Sequence, residues 1–194
     1  MAFVAPLAAH AETPARLQIA PPAAWVRPVA LPALAAATTA NATANANANA
    51  NANANAQDGP VRLLLADHQV HFSAASTSLF TRRALAVTAP EGLAALARVS
   101  LEWNVETDHV TLHAFALHRG TTSMDLLKLG QPAQLLRRRA NPSQSAIDAT
   151  VAASLPVPGL AVGDIVELAY TIERSEPLLA GHHDMRLDAG TQGG

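Results

Sequence analysis

The residues with the most chemical capacity in this sequence are its eight histidines. His109 and His113 fall on one face of a predicted strand, with Thr111 between them. Positions i and i+4 on a strand lie about 13 Å apart, whereas zinc holds each ligand nitrogen at about 2 Å, so this pair cannot share an ion. His68 and His71 point to opposite faces of another predicted strand. His182, His183 and Asp184 form the one cluster that supplies half a metal site. They define an alternative reading, a histidine-metal-dependent hydrolase, although the H-E-x-x-H spacing of zinc peptidases is absent. Asp164 and Glu167 make a candidate carboxylate pair, but their odd spacing on a strand aims them at opposite faces. Asp164 after Gly163 is better read as a turn residue entering the strand. Ser73, Ser76, Ser78 and Ser123 lack the G-x-S-x-G turn of a serine hydrolase. Gly159-Leu160-Ala161-Val162-Gly163 is not followed by the Lys-Ser/Thr pair of a phosphate-binding loop. The chain has no cysteine, which removes thiolate nucleophiles, thiolate metal sites and disulfides. The residues therefore assign no catalytic group, no cofactor site and no metal site.

Charge and hydropathy narrow the classes further. Thirteen Lys and Arg against 15 Asp and Glu give a net charge of −2, which lacks the basic excess of a strong nucleic-acid binder. Arg137-Arg138-Arg139 reads as a solvated strand end or loop. The apolar run Val29 to Ala40 is short and interrupted by Pro32, so no membrane span is expected. Phe3 to Ala8 is a short apolar run followed by Ala9-His10-Ala11, the small-x-small pattern of a signal-peptidase site. The first cation is Arg16, so residues 1–11 read as the end of an export signal that starts upstream of Met1. That reading places the protein in the periplasm or otherwise outside the cytoplasm.

The elements that must position any site follow from patterning. Of 194 residues, 49% are hydrophobic and 4% aromatic, but 44 are alanine. A methyl group buries little area at about 25 cal/mol per Å², so the large side chains fill one modest core. Residues 12–56 read as Ala/Pro-rich and Asn-Ala low-complexity linker or insertion, with Trp25-Val26 opening a first strand. Residues 57–177 carry the alternation of a β-domain. Strands are expected at Val61–Phe72, Leu79–Thr88, Val99–Val105 and Val110–Arg119, and over Val166–Glu173. Weaker strands are expected at Met124–Leu129 and Gln134–Arg139, and a helical turn at Leu93–Arg98. In the fourth strand Val110, Leu112, Ala114 and Ala116 are expected to face inward, and in the last Glu167 is expected to face water. Residues 178–194 read as a polar tail. The fold class is all-β, an antiparallel β-sandwich, incomplete at its C-terminal end.

The segment Leu155 to Pro177 resembles the signature of domain of unknown function 3857, which precedes transglutaminase-like domains in exported bacterial proteins. The matching positions are Leu155-Pro156, Val162-Gly163-Asp164, Tyr170 in an alternating strand, and Pro177. Thr81-Arg82-Arg83, Gly92-Leu93 and Arg119-Gly120 agree in order upstream, so the resemblance spans roughly Val61 to Pro177. The usual Arg-Asp-Gly turn is here Arg119-Gly120, without the Asp. The resemblance implies a non-catalytic accessory module whose partners are a transglutaminase-like domain and an unidentified protein or cell-envelope ligand. The Cys-His-Asp triad of that enzyme domain has no counterpart in a chain without cysteine. A third reading is a structural surface module that associates through open sheet edges or the Asn-Ala tract.

Overall fold

The computed structural model describes residues 17–32, 59–129, 134–137 and 150–175. The export-signal reading, the Asn-Ala tract, Pro177, the polar tail and the His182-His183-Asp184 cluster lie outside the described residues. Nine strands and one short helix are described: β1 (Leu17–Ile19), β2 (Val61–Phe72), β3 (Thr77–Val87), α1 (Glu91–Leu96), β4 (Arg98–Asn104), β5 (Asp108–Arg119), β6 (Thr122–Asp125), β7 (Gln134–Arg137), β8 (Thr150–Pro156) and β9 (Ile165–Arg174). The fold is all-β. Six strands form one sheet in the order β1-β5-β9-β3-β2, with β6 beside β5, and β4-β8-β7 form a second sheet.

Alternation places the core. Val166 and Leu168 of β9, Val110, Leu112, Phe115 and Leu117 of β5, and Val87 of β3 belong to one buried cluster with Leu101 and Trp103 of β4 and Val151, Ala153 and Leu155 of β8. Both sheets therefore contribute their apolar faces to the same core, the reason each strand must alternate. The β2–β3 hairpin turns at Ser73, whose Oγ accepts hydrogen bonds from the Ala75 and Ser76 amides at 3.2 and 2.9 Å. The first turn of α1 lies so close to the start of β2 that a Cβ on Gly92 would collide with the Pro60 carbonyl oxygen. Only glycine permits that approach.

Several expectations are corrected. The sheet is not purely antiparallel, because β1 pairs parallel to β5 from Leu17↔Val110 to Ile19↔Leu112. That first strand is Leu17–Ile19, and Trp25 sits in a turn instead of opening a strand. Strand β8 was not foreseen. Its Ala152-Ala153-Ser154 centre gives little contrast between faces, although Ala153 is fully buried. The helical turn comes earlier than expected, since Arg98 already belongs to β4. The strand expected at Met124–Leu129 ends at Asp125, where Asp125 Oδ1 accepts the Leu127 amide at 3.0 Å and turns the chain.

The most consequential correction lies in β5. Its pairing with β9 shifts between Leu112 and Ala114, leaving His113 as an extra residue in a bulge. One inserted residue reverses which face the rest of the strand presents. Beyond the bulge, Phe115 and Leu117 enter the core at 3% exposure each, where Ala114 and Ala116 were expected. Phe115→Ala should therefore cost about 3–5 kcal/mol, while Ala116→Ser should cost less than about 1 kcal/mol. Urea titrations of both variants check this, and equal losses would contradict the observed face.

Candidate functional site

Two constellations hold the polar side chains that sequence reasoning singled out. The first is the turn entering β9. Gly163 has φ +91°, a left-handed conformation that disfavours any side chain. Its amide donates to the Val87 carbonyl at 2.8 Å, and the Val87 amide donates to the Asp164 carbonyl at 2.9 Å, tying the turn to the end of β3. The Asp164 carboxylate is 1% exposed. Arg119 grips it twice, Nε to Oδ1 at 2.7 Å and Nη2 to Oδ2 at 2.6 Å, and the Ala161 amide donates to Oδ2 at 2.7 Å. Arg119 Nη2 also donates to the Gly159 carbonyl at 2.7 Å. The Arg119 guanidinium holds the Asp164 carboxyl below the usual range; burial opposes this, and the Ala161 amide adds to it. Asp164 is thus both the turn residue the sequence indicated and the buried half of an ion pair whose arginine is exposed.

A second Asp–Arg pair sits at the other end of the same two strands. Arg174 donates Nε to Asp108 Oδ1 at 2.8 Å and Nη2 to Oδ2 at 3.0 Å, and the Asn104 amide reaches Oδ2 at 3.2 Å. Burial pushes the Asp108 carboxyl upward, but its hydrogen bonds to Arg174 and Asn104 prevail and its pKa is lowered.

The second constellation lies on the face of the six-stranded sheet that points away from the shared core. Glu167 is 6% exposed there, not in water as alternation suggested. Each of its oxygens is occupied: Arg82 Nε bonds Oε1 at 2.7 Å and His118 Nε2 bonds Oε2 at 2.7 Å. Asp164 and Glu167 therefore hold separate cations and do not act on a common atom. His113, extruded by the bulge, is within hydrogen-bond distance of the Ala20 carbonyl through Nδ1 at 2.8 Å and of Thr171 Oγ1 through Nε2 at 2.7 Å. His109 reaches Gln18 at 3.0 Å, His68 reaches Thr81 at 3.2 Å, and His71 stacks on Trp25. Burial lowers the His68 pKa, and Arg83 adds to that effect. The five described histidines are thus dispersed among different partners. Among the described residues no three His, Asp or Glu side chains gather into a metal site.

The other quoted signature residues serve the scaffold. Leu155 is buried in the core opposite Val99, and Pro156 ends β8 opposite Arg98. Tyr170 packs partly buried against the core, between Thr81 and Leu112 of the neighbouring strands. What sequence reasoning missed were the cations. Arg82 and Arg119 had been noted only as members of a family order, because nothing local shows that each meets a buried acid.

A family model of a domain of unknown function, DUF3857, matches residues 73–190. The chain belongs to the DUF3857 family. The match begins after β2 and extends through residues read above as a polar tail. No curated protein matches the chain significantly. Among solved structures, the chain is similar to one from Parabacteroides distasonis ATCC 8503 named a "putative protease", at 11% identity and a TM-score of 0.52. The similarity covers 60% of this chain and 23% of that one, so this chain spans about a quarter of the larger protein's length. At that identity the likeness concerns the fold alone.

Asp164→Asn should destabilise this DUF3857 domain by roughly 2–3 kcal/mol at neutral pH, through lost charge-assisted bonds at a buried site. The Asp164 pKa is depressed on folding, so its contribution is complete above the unfolded value of about 3.9. It disappears as pH falls through the lower folded value. Thermal melts of both proteins should accordingly differ at pH 7 and converge in acid. A difference that persists undiminished at the lowest pH would contradict the ion-pair account.

Proposed function

We propose that this DUF3857 domain is a non-catalytic accessory module of an exported transglutaminase-like protein, where it binds or positions a protein or cell-envelope partner. The observation that carries this reading is how the domain uses its buried acids. Asp164, Asp108 and Glu167 are each occupied by cations of the scaffold itself, and both Glu167 oxygens are engaged. A carboxylate held at both oxygens is poised to fix strands, not to exchange a proton with substrate. The likeness to a part of a larger chain named a "putative protease" supports a module that works beside other domains. The Ala9-His10-Ala11 pattern supports export.

The test pairs the purified chain with the transglutaminase-like domain encoded in the same polypeptide or beside it. The chain alone should turn over neither peptide nor ester substrates. It should bind that domain in a one-to-one complex by calorimetry. Turnover by the chain alone, abolished by chelator and by His182→Ala or His183→Ala, would replace this reading with the metal-hydrolase one. Release of the tagged protein by osmotic shock checks the exported location, and retention with the cytoplasmic fraction would refute it.

A further inference from the structure

Residues 20–32 run across the outward face of the six-stranded sheet as a strap. No residue of the strap is buried, and most are exposed. It belongs to neither sheet and precedes the family match that begins at residue 73. The strap is held at spaced points, and the contacts read its main chain. The Gln69 side-chain amide donates to the Arg27 carbonyl and accepts from the Arg27 amide, both at 2.7 Å. Asp67 Oδ2 accepts from Gln69 Nε2 at 2.9 Å, which fixes which way that amide faces. Arg82, anchored by Glu167, donates to the Val29 carbonyl. His113 takes the Ala20 carbonyl. The Ala20 amide also donates to the Leu112 carbonyl at 3.2 Å, Trp25 stacks on His71 at 5.2 Å, and Leu31 packs on the small cluster of Ala84, Ala86 and Ile165.

The strap's sequence explains this mode of docking. Ala20, Arg27 and Leu31 are contact residues, and each is followed by a proline, at Pro21, Pro28 and Pro32. A residue before proline is confined to extended conformations, and proline itself donates no amide to a sheet. Such a segment cannot become another strand of the sheet interior. On either side of a turn closed by the Val26 amide on the Ala23 carbonyl at 3.0 Å, it presents stiff main-chain groups to side chains that reach up from the sheet, with little entropy left to lose on docking.

We infer that the outward face of the six-stranded sheet is a binding surface for proline-punctuated peptide segments with one central turn, and that residues 20–32 occupy it in cis. The surface selects main-chain geometry through Gln69 and Arg82, and it selects side chains at the Trp25 and Leu31 positions. The occupant in trans is a segment of another polypeptide with residue-proline steps at similar spacing. The 28 residues from 33 to 60 join the strap to β2. A connection of that length maintains an effective concentration on the order of millimolar, so the cis segment outcompetes a free peptide until the connection is cut. This deepens the accessory-module reading by naming the chemistry of a partner. Its test uses the chain alone, so either can fail without the other.

The experiment places a site-specific protease sequence within the Asn-Ala tract, between Asn45 and Ala56, and uses a fluorescent synthetic peptide of residues 17–32. Cleaved protein should take up one labelled peptide per domain, as read by anisotropy. Uncleaved protein should bind it at least about tenfold more weakly because the cis strap competes. Gln69→Ala in the cleaved protein should weaken uptake several-fold without loss of the folded signal in circular dichroism. A peptide with Pro21, Pro28 and Pro32 replaced by alanine should also bind more weakly. Cleaved protein that retains its strap and refuses the peptide would show an intramolecular seam and overturn the proposal. Loss of folding on cleavage, or equal binding of a scrambled peptide, would overturn it as well.

Discussion

The β5–β9 pair is fixed at both ends by bidentate Asp–Arg bonds, and their polarity is reversed. At one end Asp108 of β5 meets Arg174 of β9; at the other Arg119 of β5 meets Asp164 just before β9. A slip of register would set like charges or unpaired buried carboxylates at both ends, and an unpaired buried charge is among the costliest defects a fold can carry. The two clamps also enclose unequal lengths of chain. From Asp108 to Arg119 is eleven steps, while from Asp164 to Arg174 is ten. Strands fixed at both ends with one residue in excess must expel it, and the residue expelled is His113. Hence Phe115 and Leu117 lie in the core, and hence an imidazole stands on the opposite face where it meets Ala20.

The parts of this architecture legible in the sequence are those where one face is apolar and its neighbour polar. Strand β2 was read with the bounds it has, and the alternation of Leu101 and Trp103 against Ser100 and Glu102 marked β4. Strand β8 stayed hidden because alanine and serine look alike to a hydropathy pattern whether buried or wet. The inward face of β5 was legible only up to Leu112. Periodicity assumes a constant register, and the excess residue is defined only against the partner strand. Trp25, the largest anchor in its region, suggested a strand, yet its ring rests on His71 and its backbone turns.

Burial of charge was the least legible property. Glu167 looked solvated because its partners Arg82 and His118 stand 85 and 49 positions away. Gly163-Asp164 was recognisable as a turn from local chemistry alone, and the positive φ of Gly163 gives the physical reason for glycine there. Its second role was not recognisable, since Arg119 lies 45 positions before the acid it holds. Local rules therefore recover the turn, and only the assembled sheet shows that the turn closes on an arginine.

The strap also fixes an order of events. Among the described residues, 17–32 are synthesised first, but the carbonyl of Ala20 waits for His113, 93 positions later, and parallel pairing of β1 waits for the same strand. A contact so distant in sequence carries the cost of closing the chain between its ends into a loop, as does the pairing of Thr77 with Arg174 across β3 and β9. The β2–β3 hairpin and the β5–β9 pair can assemble while the earliest segment is still unattached. During biosynthesis the contacts of Arg27 with Gln69 and of Val29 with Arg82, 42 and 53 positions away, become possible first, and the anchor at Ala20 must wait for His113, so the segment is secured in stages from its C-terminal end.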